Sequence, residues 1–155
     1  MKFYMIILVF VLLFISACAT QEPLSESQRS KSLYQDFNQV GYEQALNEGK
    51  TIYLEFYANW CPICKQQEPV IQEAFTELDN EAIVGFRVNY NDNQVTEEEE
   101  NLARQYGIAY QHTKVIINKE GKVAKKSNEF WSKERIIEEL NHIMSIKQNV
   151  FIQDK

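Results

Sequence analysis

Trp60-Cys61-Pro62-Ile63-Cys64-Lys65 sets two thiols three positions apart, between an apolar run, Ile52 to Tyr57, and an amphipathic segment, Lys65 to Leu78. An apolar run followed by apolar residues at helical spacing reads as a strand passing into a helix, with both cysteines at the corner. The first turn of a helix carries unpaired N–H groups and the positive end of the dipole, so a thiol there favours its thiolate. Pro62 fits the same turn, where the N–H it lacks would go unpaired anyway. Cys61 is then expected to be the exposed attacking thiol, and Cys64, a turn deeper, the resolving one. That arrangement serves thiol–disulfide exchange.

Two other uses of the pair fare worse. A structural zinc site needs four ligands, and the rest of the chain offers only Cys18, His112 and His142, with no second C-x-x-C. A purely structural disulfide across so short a loop constrains the unfolded chain little, so it stabilises little.

Outward from the corner, Thr51 to Tyr57 is rich in β-branched and aromatic residues, with apolar side chains at both parities, which predicts a central strand covered on both faces. Glu55 is the exception in that strand. Burial disfavours the charged form of a carboxylate, and no Lys or Arg stands near Glu55 in sequence, so it is expected to serve as a proton carrier. Val70, Ile71, Ala74, Phe75 and Leu78 repeat at helical spacing, and Ala82 to Tyr90 predicts the next strand. Thr96-Glu97-Glu98-Glu99 is a capping box and Gly107 suits a left-handed stop, so the acidic run Glu97 to Glu100 opens a helix. Lys114 to Asn118 and Lys122 to Lys126 form a hairpin through Lys119-Glu120-Gly121. Ser132 caps a final helix whose apolar face is Ile136, Ile137, Leu140, Ile143 and Met144. Before the central strand, Leu33 to Asn38 predicts a strand and Gly41 to Glu48 a short helix.

From about Tyr34 to Met144 the chain resembles the thioredoxin superfamily. Trp60 to Lys65 is similar to its active-site signature, Pro69 to the proline inside its active-site helix, and Glu55 to its buried carboxylate. Tyr106-Gly107-Ile108 followed by Thr113 resembles the segment leading to the family's cis-proline loop. Phe56-Tyr57-Ala58-Asn59-Trp60 and the longer spacing after Asn89 look most like the soluble thioredoxin-like domains of extracytoplasmic disulfide reductases, a group that includes lipoprotein-anchored members. The resemblance implies an α/β fold with a central mixed β-sheet of four to five strands flanked by helices. It implies catalysis by Cys61, Cys64 and Glu55, the last exchanging a proton with Cys64, and a substrate groove bordered by Trp60, Pro62, Ile63, His112 and Thr113. No cofactor is expected beyond the redox-active Cys61–Cys64 disulfide, and no metal.

One departure stands out: His112 occupies the family's cis-proline position. There its imidazole is expected to lie close to both thiols. Protonated, it would stabilise a thiolate and make the disulfide easier to reduce. Neutral, it would complete a three-ligand site with Cys61 and Cys64 for copper(I) or zinc, which makes a metal-delivery module the alternative function.

The ends of the chain carry a different signal. Lys2 precedes an apolar run from Phe3 to Ile15, about 20 Å as a helix against roughly 30 Å of hydrocarbon, which suits a signal sequence better than a membrane span. Ile15-Ser16-Ala17-Cys18 resembles the bacterial lipobox, which implies lipidation at Cys18. The expected organisation is a signal peptide over 1–17, a flexible tether over 18–32, the globular domain over 33–148 and a tail over 149–155. Location follows: extracytoplasmic, lipid-anchored to a bacterial membrane on its periplasmic or outer-surface side. A net charge of −6 argues against nucleic acid as a partner. The expected partners are a disulfide-bearing protein substrate and a membrane-embedded electron donor, with the chain itself a monomer.

Overall fold

The structure is a computed structural model that describes residues 33–146. The signal peptide, tether, lipidation and tail expectations fall wholly outside those residues. Five strands and four helices follow one another: β1 Leu33–Asp36, α1 Gln39–Asn47, β2 Thr51–Tyr57, α2 Pro62–Glu77, β3 Ile83–Asn89, α3 Glu97–Gln105, β4 Thr113–Ile117, β5 Val123–Ser127 and α4 Lys133–Ser145. The sheet order is β1-β3-β2-β4-β5. β1 and β2 run parallel to β3, β4 is antiparallel to β2, and β5 closes the far edge as the second arm of a hairpin. The mixed five-stranded sheet is therefore the expected one, and β2, in its middle, is buried along its whole length.

Alternation along β2 feeds two cores. Ile52, Leu54 and Phe56 pack with Val84, Phe86 and Val88 under Tyr42 and Ala45 of α1 and Leu102 and Ala103 of α3. On the other face Tyr53 joins Ile83 and Ile116 beneath Ile71, Ala74 and Phe75 of α2 and Ile136 and Leu140 of α4. Gly85 is required on this second face. A Cβ there would lie 2.6 Å from both the Phe75 and Tyr34 rings, so α2 could not settle on the sheet. The helix signals act as expected. Thr96 and Glu99 form the capping box, Ser132 caps α4, and Gly107 ends α3 at φ 57°. Glu99 does more than neutralise a dipole: it is buried, and its Oε1 accepts the Asn89 N–H at 2.7 Å, which ties α3 to the end of β3.

Candidate active site

The end of β2 runs straight into the dithiol corner. Cys61 is the N-cap of α2, Pro62 opens the helix, and Cys64 lies within the first turn. The Cys61 Sγ accepts the Cys64 backbone N–H at 3.2 Å, so one unpaired donor of the helix start is spent on this sulfur. The two cysteines are joined as a disulfide with Cα atoms 5.3 Å apart, and they pack with Tyr57 and Ala58. Cys61 is not exposed: it is 2% accessible against 1% for Cys64. The expectation of an exposed Cys61 is corrected, because in the disulfide form both sulfurs lie within the Tyr57–Ala58 packing. What separates the thiols is their place on the helix.

Around the corner, Trp60 and Ile63 are exposed apolar side chains. The Trp60 indole N–H donates to the Asn91 carbonyl at 2.9 Å, and the Asn59 N–H donates to Asp92 at 2.8 Å, so the long loop after β3 braces this rim. Thr113 is buried and its hydroxyl donates to the Tyr110 carbonyl at 2.7 Å. Tyr110 and Phe130 also present exposed rings, and Phe130 stacks on His112 with centroids 6.5 Å apart. Neither ring stood out in the sequence, where each looks like an ordinary loop aromatic.

Glu55 is 1% exposed, as its strand implied, but it does not stand alone. Its antiparallel neighbour on β4 is Lys114, fully buried, whose Nζ lies 3.5 Å from Glu55 Oε2. The expectation of a carboxylate without a cationic partner is thereby overturned. Burial pushes the Lys114 ammonium below the usual lysine range, with Glu55 pulling the other way. Sequence distance hid the pair, yet a signal existed: Lys114 shares the parity of Ile116 in a short strand buried on every residue.

His112 completes a triangle. Its peptide is trans and its φ is +64°, in the left-handed region that histidine enters at some cost. Its N–H donates to the Phe56 carbonyl at 2.6 Å, which turns the ring inward at 5% exposure. Nδ1 lies 3.3 Å from Glu55 Oε1 and Nε2 3.4 Å from Lys114 Nζ. The first contact is within ion-pair distance but not aligned as a hydrogen bond, which leaves Nδ1 and Glu55 Oε1 without a bonded partner. Both ring nitrogens thus face the buried pair. The metal-delivery alternative finds no support in the arrangement of ligands. Among the described residues no group of three or more His, Cys, Asp or Glu side chains is placed to hold a metal ion.

A strand, a C-x-x-C corner capping the next helix, and a buried carboxylate beneath it make a specific combination, and the family model described as Thioredoxin matches residues 34–142. The chain belongs to the thioredoxin family. Among its relatives, a thioredoxin of Chlorobaculum thiosulfatiphilum is 34% identical over 80 residues, covering 52% of this chain and 67% of that one. Of solved structures, Trxlp from Edwardsiella tarda superposes with a TM-score of 0.57 at 22% identity, over 69% of this chain and 97% of that one. The exposed lipoprotein thioredoxin of Streptococcus pneumoniae does so at 0.51 and 26% identity, over 63% and 89%. With its Cys61–Cys64 pair, this thioredoxin-family chain is a thiol–disulfide oxidoreductase.

Proposed function

We propose that this oxidoreductase reduces protein disulfides outside the cytoplasm, as a monomer held to a membrane by lipid on Cys18 and recharged by a membrane-embedded electron donor. The Cys61 thiolate attacks a substrate disulfide and displaces one substrate sulfur as thiolate. Cys64 then gives its proton to Glu55, and its thiolate attacks the Cys61 sulfur of the mixed disulfide. The second substrate sulfur leaves with the electron pair, so the substrate gains two electrons and the enzyme is left as the Cys61–Cys64 disulfide.

The observation that carries the reducing direction is the setting of the Cys61 sulfur, which caps α2 and accepts the Cys64 N–H at 3.2 Å. Ile63, between the thiols, brings no charge to it. A thiolate supported mainly by one backbone N–H and the helix dipole is the poorer leaving group, and its disulfide the poorer oxidant. The lipid anchor is supported by Ile15-Ser16-Ala17-Cys18 and by the likeness to an exposed lipoprotein thioredoxin.

The test is the reduction potential of the Cys61–Cys64 couple. A reductase is expected near about −270 mV, whereas a value near about −120 mV would make the protein an oxidant. For the anchor, Cys18→Ser should release the folded domain from the membrane fraction with its disulfide reactivity intact. Retention of that variant would mean that the apolar run itself is the anchor.

A further inference from the structure

Both cysteines are nearly inaccessible, so a disulfide that reaches them must lie against whatever borders the corner. Two exposed rings on neighbouring loops take no part in the thiol chemistry: Tyr110 and Phe130. Phe130 is held in place by the residues around it. The fully buried Gln67 side chain donates from Nε2 to the Trp131 carbonyl at 2.8 Å, and its Oε1 accepts the Trp131 N–H at 2.8 Å. Gln67 follows Cys64 by about one helical turn, so this pair of bonds fastens the loop before α4 to the active-site helix. On the other side of Phe130, the Glu129 N–H donates to Ser127 Oγ at 3.2 Å, and the Glu129 carboxylate pairs with Arg135 at 2.8 Å. The backbone is thus fixed on both sides of a ring that is itself 44% exposed and stacked on His112. A ring presented this way loses little freedom when a partner covers it.

A hollow of about 270 Å³ lies beside the same loop, lined by Tyr110, Thr113, Lys126, Ser127 and Asn128 among others. Much of its polar lining is already bonded within the protein. Thr113 donates to the Tyr110 carbonyl, Lys126 to the Tyr106 and Gly107 carbonyls, and Ser127 takes the Glu129 N–H. More apolar than polar surface is left for a guest, which suits one apolar side chain.

We propose that Phe130 and Tyr110 are specificity-determining residues, which select protein disulfides with an aromatic or large aliphatic residue beside the attacked cysteine, and that Gln67 is the positioning residue that holds Phe130 for this task. The guest side chain enters the hollow at Tyr110 while the adjoining substrate backbone lies against Phe130. The inference rests on the reading that the protein reduces protein disulfides, and it narrows the class of substrate.

The test uses two synthetic peptide disulfides that differ only in the residue beside the cysteine, phenylalanine in one and serine in the other, each reduced by the dithiol form of the protein. Wild type should show a kcat/KM about tenfold higher for the phenylalanine peptide, carried by KM rather than kcat. Phe130→Ala and Tyr110→Ala should each lower that preference to about threefold or less, whereas Phe130→Tyr, which keeps the ring, should retain it. Gln67→Met keeps the bulk and loses both hydrogen bonds. It should lower the preference through Phe130 alone, and so change nothing further in a Phe130→Ala background. Equal kcat/KM for the two peptides in wild type, or a full preference in Phe130→Ala, overturns the proposal. A further loss from Gln67→Met in the Phe130→Ala background overturns the role given to Gln67. Reduction of neither peptide overturns instead the reading on which the inference rests. Phe130 and Tyr110 are both exposed, so their alanine variants decide the matter even if Gln67→Met does not fold.

Discussion

A single row of side chains crosses the sheet at one level, and its two halves behave differently. Register places Asp36, Arg87, Glu55, Lys114 and Ser127 side by side on β1, β3, β2, β4 and β5. The outer half is open. Arg87 bonds Glu68 at 2.6 Å and Asp36 at 2.8 Å, and the Asp36 side chain is 76% exposed. The inner half is dry, with Glu55 and Lys114 both essentially inaccessible. Burial works against the charge on both cations. For Arg87 the two carboxylates outweigh it and raise the guanidinium, whereas for Lys114 it wins and lowers the ammonium. The same alternation of sign thus gives a surface clasp at one end and a buried pair at the other.

That contrast sets the order of expected mutational effects. Lys114→Met strands a buried carboxylate and should cost about 3–5 kcal/mol of stability, read by denaturant unfolding at neutral pH. Adding Glu55→Gln removes the stranded charge, so the double variant should recover most of that loss. Additive losses would mean that the two residues do not act as a pair. Glu55→Gln alone leaves Lys114 unpaired and should also destabilise. This reverses what a solitary buried carboxylate would do, since removing its charge would stabilise the fold.

At the open end Asp36→Asn should cost no more than about 1 kcal/mol, and less at high salt. A loss as large as that of Lys114→Met would erase the distinction between the two halves. The smallest effect at neutral pH belongs to Tyr53→Phe, and it grows on the alkaline side. The Tyr53 phenol is raised above its unfolded value of about 10, so its contribution is full below that pH and is lost as pH rises toward the folded value. Tyr53→Phe should flatten part of the stability loss above about pH 10. An unchanged slope would place the alkaline sensitivity on Tyr34 or elsewhere.

How much of this was legible in the sequence follows from the range of each interaction. The dithiol corner was, because Ile52 to Tyr57, Pro62 and the helical repeat after Lys65 all act within a few residues of one another. So were the Thr96 and Ser132 caps and the hairpin. The partners of Glu55 were not. Lys114 meets it only through the β2–β4 register, and no local pattern fixes which strands pair. His112 stands out in the sequence as a departure, but its contacts with Glu55 and Lys114 do not. Its inward turn depends on a left-handed backbone and on the bond to Phe56, and neither is written in residue type.

The central claim is the division of labour at the corner: Cys61 attacks and Cys64 resolves. The most direct measurement is trapping, with reduced Cys64→Ser and Cys61→Ser variants each incubated with an oxidised protein substrate. The account predicts a mixed disulfide through Cys61 in the first variant and none in the second, because only Cys61 caps α2 and accepts its N–H. A stable adduct through Cys64 in the Cys61→Ser variant, with none in the other, would contradict it.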